Sequence, residues 1–261
     1  MKISKNLETM DPHLLRRVAR FSNSGIPYLY LNKPKCASTT IKRALVVAQH
    51  QRDNIPIPPK LNINDLLPKS KLKDLLKIPD ETFVFTFVRN PFLRAFSCYR
   101  DKCLPLPRQR ILAPLKNIGV GTKPVSFGDF LNFVMSQEDS ERNAHWRTMV
   151  GLNLLDIIKV DFVGSVENLE SDMHFVFSKI FPKYRPRTKN NNSRAYKLHI
   201  SEAFGVDEVE KVLEIYADDF EYFGYSTDPA FMTKGPKRRS YIWGFQSDHD
   251  RHLKGSNLVR V

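Results

Sequence analysis

The chain has 261 residues, 41% hydrophobic and 26% charged, a balance that supplies a filled core and excludes a wholly disordered polypeptide. Its formal net charge of +13 favours anionic partners without choosing among nucleotides, nucleic acid, acidic glycans and an anionic membrane face. Three cysteines with no CxxC pair argue against a disulfide framework or a zinc site, and seven histidines with no HExxH spacing argue against any metal.

Residues 1–20 read as a helical lead-in. They hold no continuous apolar core of signal-peptide type, and nothing in the chain approaches the roughly 18 apolar residues of a membrane span. The expectation is a cytoplasmic protein. "IPYLYLN" (26–32) reads as a strand, and "TTIKRALVVAQH" (39–50) as a helix with Ser38 or Thr39 as its N-cap. Residues 51–70, with four prolines, form a connection. "TFVFTFVR" (82–89) is apolar at nearly every position, as a central strand covered on both faces requires. Asn90-Pro91 then opens a helix whose Phe92, Phe96, Tyr99 and Cys103 share one face.

Residues 104–125 carry four prolines and four basic residues and predict a long surface loop. A helix over 126–137, a short buried strand over 160–168 and a helix over 167–180 follow; Glu167 and Asn168 are expected to cap the last. Residues 204–225 begin as a helix. Strands alternating with helices predict an α/β fold, a central parallel sheet flanked by helices. One domain is expected over 1–228, with a basic, loosely ordered tail over 229–261.

Two segments carry the chemistry. At the carboxyl end of the first strand, "KPKCASTT" places an ammonium and several hydroxyls where a loop turns into a helix N-terminus. There the unpaired backbone N–H groups and the helix dipole suit a phosphate or sulfate. No glycine lies between Lys33 and Lys42, so this is not a Walker A loop. A cysteine-phosphatase reading of Cys36 would need arginine where Lys42 stands, with Arg43 one step late. A solvated turn with a helix cap is the plain alternative. The second segment, "FTFVRNPFLRAFSCYRDK", puts Arg89 at the end of a buried strand, with Arg94 and Ser97 three residues apart on a helix. It suggests a second anion site, or an arginine that only caps its strand.

Here the chain resembles a known family. Pro34-Lys35-Cys36-Ala37-Ser38-Thr39-Thr40 is similar to the 5′-phosphosulfate loop of sulfotransferases, in the form found in Golgi carbohydrate sulfotransferases and bacterial relatives. Arg89-Asn90-Pro91-Phe92-Leu93-Arg94-Ala95-Phe96-Ser97 is similar to their 3′-phosphate motif, RxPxxRxxS. His145-Trp146, "DFVGSVENLESD" (161–172) and "IYADDFEYFGY" (215–225) resemble further elements in the family's order.

The resemblance implies a P-loop-like, nucleotide-kinase-like sulfotransferase fold. It implies transfer of a sulfuryl group from 3′-phosphoadenosine 5′-phosphosulfate to a hydroxyl of a carbohydrate or glycolipid, without a metal. Lys35 would stabilise the leaving 5′-phosphate, and Cys36, Ala37, Ser38, Thr39 and Thr40, through their backbone and the hydroxyls of the last three, would hold the 5′ end of the donor. Arg89 and Ser97 would hold its 3′-phosphate, and Arg194 would cap it. His145, oriented by Glu141 from a preceding helical turn, would be the base. The rival reading is a basic polyanion- or nucleic-acid-binding protein with the same fold, although no nucleic-acid motif is present. Peripheral membrane association is a further open partner.

Overall fold

A computed structural model describes residues 19–22, 25–58, 63, 67, 70, 75, 77–104, 125–152, 158–186 and 203–236. The expected loop over 104–125 lies almost wholly outside the described residues, as do Arg194 and the tail beyond 236. The chain divides into two compact units. One draws on Met1–Val88 and Leu152–Thr188, the other on Arg89–Gly151 and Lys189–Arg238.

The first unit is built on a four-stranded sheet in the order β1-β2-β3-β4. β2 (Tyr28–Leu31), β3 (Phe83–Val88) and β4 (Phe162–Ser165) are parallel, with Leu31 opposite Thr86 and Val88 opposite Ser165. β1 (Ala19–Ser22) pairs antiparallel with β2. The sheet is therefore mixed. Ala19 and Arg20, read from sequence as the end of a helical lead-in, belong instead to this strand, which covers the β2 edge and satisfies its backbone donors.

Parallel strands covered on both faces need apolar side chains at nearly every position. β3 meets that demand with five phenylalanine and valine residues, and it tolerates Thr86 because the hydroxyl donates to Leu31 O at 2.7 Å. On one face Tyr28, Tyr30, Phe85, Phe87 and Phe162 pack against helices α1 (Ser38–Arg52) and α4 (Leu169–Ile180). Tyr30 and Phe85 stack with centroids 5.2 Å apart. A side chain at Gly164 would place its Cβ 2.5 Å from the Phe87 ring, so glycine in "FVGS" is set by this packing. Two carboxylates fasten the strands. Asp161 Oδ2 accepts the Val84 N–H at 2.8 Å, and the buried Asp172 accepts the Ser165 N–H at 2.8 Å. Asn168 sits at the N-cap of α4 without capping it, and its amide donates to Ser165 Oγ instead.

The second unit is helical: α2 (Pro91–Lys102), α3 (Phe127–Met135), α5 (Val206–Ile215) and α6 (Ala217–Phe223). Asn90 Oδ1 accepts the Phe92 N–H at 3.1 Å and Pro91 fills the first helical position, as the dipeptide predicts. A Ser126–Asp129 capping box starts α3, and its hydrogen bonds hold the Asp129 carboxyl below the usual carboxylate range. The cluster of Phe92, Phe96, Phe127, Phe130, Phe204 and Phe220 forms the core, with Phe92 and Phe220 rings 5.0 Å apart.

The run over 204–225 begins as a helix, as expected, and breaks at Tyr216. The buried Tyr216 hydroxyl donates to Trp146 O at 2.9 Å, and the Arg94 guanidinium lies 5.8 Å from the centre of its ring. Burial pushes this phenol's pKa up. Among the described residues no helix is long and apolar enough to cross a membrane.

Candidate functional site

β2 ends at Leu31, and Asn32 and Lys33, both buried, lead into the loop. Cys36 N–H turns back to Lys33 O at 3.4 Å. The chain then curls by placing two non-glycine residues in the left-handed region, Lys35 at φ 67° and Ala37 at φ 55°. Such a conformation costs an L-residue about 1–2 kcal/mol, and strain of this kind gathers at ligand-binding sites. Left-handed residues beside right-handed ones are the backbone pattern of anion-binding concavities in general.

Ala37, not Ser38 or Thr39, is the N-cap of α1, and it has no side chain to cap with. Ser38 is the first helical residue, and the first intrahelical bond runs from Ile41 N–H to Ala37 O at 3.0 Å. The leading N–H groups of α1 thus have no intrahelical acceptor. No acidic residue occupies the first turn to compete for them. Thr39 is exposed, while Lys35, Ser38 and Thr40 are half-buried. The Cys36 side chain is completely buried.

Arg89 is the first residue beyond β3 and is half-buried. Ser97, also half-buried, lies on α2. Arg94 is 1% exposed and packs on Tyr216. The two arginines of RxPxxRxxS therefore stand in different surroundings, the first accessible and the second inside the helical core.

His145 lies in an irregular run of turns after α3, not on a helix. The run is held by side chains. Asp139 Oδ1 accepts the Thr148 N–H at 2.9 Å, and its Oδ2 accepts the Thr148 hydroxyl at 2.9 Å. The same carboxylate pairs with Arg142 at 3.2 Å and Arg147 at 3.4 Å. The fully buried Asp219 accepts the N–H groups of Met149 and Val150 at 2.9 and 2.8 Å. The Trp146 indole donates to Gln137 Oε1 at 2.9 Å. His145 itself is half-buried, and Asn143 Oδ1 meets its Nδ1 at 2.7 Å. The orienting group is Asn143, two residues back in the same turn, whereas Glu141 is exposed. An Asn-x-His spacing was the available signal, and sequence reasoning passed over it.

The structure thus gathers Lys35, Cys36, Ala37, Ser38, Thr39 and Thr40 in one loop of the first unit. It places Arg89, Ser97 and His145 in the second. All three cysteines are buried, and burial, with Cys98 nearby, pushes the Cys103 thiol up to about 12. Among the described residues no group of three or more His, Cys, Asp or Glu side chains could hold a metal ion.

The chain belongs to the Sulfotransferase family, whose sequence profile matches residues 26–226. It is 27% identical over 227 residues to carbohydrate sulfotransferase 14 of Danio rerio, covering 76% of this chain and 59% of that one. It is 30% identical over 227 residues to carbohydrate sulfotransferase 14 of Mus musculus, covering 76% and 57%. With carbohydrate sulfotransferase 11 of Mus musculus it shares 25% identity over 256 residues, 86% of this chain and 71% of the relative. The matches thus take in somewhat over half the length of the first two relatives. No solved structure is significantly similar to the chain.

Proposed function

We propose that the protein is a sulfotransferase that moves a sulfuryl group from 3′-phosphoadenosine 5′-phosphosulfate to a saccharide hydroxyl. The observation that carries this reading is the glycine-free loop after β2, curled through Lys35 and Ala37 in the left-handed region and ending in a helix without a side-chain cap. A chain that bears such strain without glycine has backbone donors aimed at an anion as its return. Membership of the family and the likeness to carbohydrate sulfotransferases support both donor and acceptor class.

The donor supplies an activated sulfuryl group bonded to a phosphate that leaves with negative charge. The Lys35 ammonium offsets that charge, and the N–H groups from Ala37 to Thr40, with the hydroxyls of Ser38, Thr39 and Thr40, bind the phosphate oxygens. Arg89 and Ser97 bind the 3′-phosphate. Losing the Arg89 guanidinium is expected to weaken donor binding by ~1.5–3 kcal/mol. His145 takes the proton of the acceptor hydroxyl as the new oxygen–sulfur bond forms.

Addition of 3′-phosphoadenosine 5′-phosphate should raise the melting temperature by mass action, with about 2.7 kcal/mol of stabilisation at a ligand concentration a hundred times Kd. The shift should fall by half or more in Lys35→Ala and Arg89→Ala. Labelled sulfate from the donor should then appear on members of a saccharide panel. A shift produced equally by heparin or DNA, steeply salt-dependent and indifferent to both substitutions, would replace the enzyme with a polyanion binder.

A further inference from the structure

We infer that Asn143 is a positioning residue that fixes the tautomer of His145 and so decides which ring nitrogen can take a proton; the inference rests on the function proposed above. Asn143 Oδ1 has two neighbours on His145, the backbone N–H at 3.1 Å and Nδ1 at 2.7 Å. A backbone N–H can only donate, so the Asn143 atom it faces must be the carbonyl oxygen and not the amide nitrogen. An amide oxygen can only accept, so Nδ1 at 2.7 Å must carry a hydrogen. A neutral imidazole holds one N–H. Its lone pair is therefore on Nε2.

The rest of the turn keeps this geometry. Asn143 O accepts the N–H groups of Trp146 and Arg147, each at 2.9 Å, so one asparagine binds this turn through both of its oxygens. Asp139 and Asp219 hold the chain on the far side through Thr148, Met149 and Val150. Tyr216 takes Trp146 O. The ring of His145 is thus anchored at Nδ1 on a segment whose backbone is tied on both flanks. In transfer, the acceptor O–H proton goes to Nε2 and the imidazolium stays bound through Nδ1–H to a neutral oxygen. A neutral partner fixes the tautomer without the charge that a carboxylate would add.

The test is nitrogen NMR on the full chain with labelled histidine, the His145 signals being assigned by their loss in His145→Gln. The native protein at neutral pH should show a protonated Nδ1 and an unprotonated Nε2 at His145. Asn143→Ala should move the ring toward the Nε2–H form and lower kcat about 10- to 100-fold, with little change in the KM for the donor. Asn143→Asp, which keeps an oxygen acceptor, should restore the Nδ1–H form and most of the lost kcat. An Nε2–H ring in the native protein would overturn the inference, and this measurement needs no variant to fold. So would a tautomer unmoved in Asn143→Ala. Native protein that sulfates no saccharide would overturn the proposed reaction and the role of His145 in it. The spectrum would still decide, separately, whether Asn143 sets the ring.

Discussion

The loop from Asn32 to Thr40 and the turns from Glu138 to Gly151 are both irregular, and they are built on opposite plans. In the first, the backbone carries the unusual geometry. It curls through two left-handed residues, and the helix it opens has no side-chain cap. In the second, side chains serve the backbone. Asp139, Asn143 and Asp219 accept main-chain N–H groups, and Gln137 accepts the Trp146 indole. A loop that binds an anion through its backbone must leave donors open and bear the strain. A loop that presents one side chain must close its donors to keep that side chain still.

The sharpest way to break this contrast is Lys35→Ala. If the loop is the donor's cradle, sulfuryl transfer should fall about 10²–10³-fold while the melting temperature of the unliganded protein stays close to native. Equal losses of activity and stability would make Lys35 a structural residue. Next comes Asp219→Ala, which strands the buried Met149 N–H and the part-buried Val150 N–H and should cost ~3 kcal/mol in chemical denaturation. A change near zero would mean that the turns do not depend on side-chain acceptors. The smallest effect is expected from Ala37→Gly. Relief of the left-handed conformation is partly offset by the freer unfolded chain, leaving a gain of up to about 1 kcal/mol. A loss of stability would show that Ala37 is not strained.

The short motifs that resemble the family were legible as text, but several proved to be joints of the fold. In "DFVGSVENLESD", Asp161 ties β4 to β3, Gly164 makes room for Phe87, and Asp172 binds the Ser165 N–H. In "IYADDFEYFGY", Tyr216 reaches Trp146 O, Asp219 holds Met149 and Val150, and Gly224 ends α6 at φ 69°. Arg94 of the second motif belongs with them, since its partner is the Tyr216 ring. Sequence reasoning could not separate a buried arginine from an accessible one in the same motif, because exposure depends on what a distant segment lays over it.

What the sequence determined by itself follows from local rules. Unbroken apolar runs specified β2, β3 and β4 as buried parallel strands, and the Asn90-Pro91 signal specified a helix start. These are effects of neighbours within one or two turns of chain. Tertiary structure alone decided that Ala19–Ser22 is an edge strand and that a helix breaks at Tyr216. Each of these outcomes depends on a hydrogen-bonding partner, or on a backbone course, that periodicity along the chain does not encode.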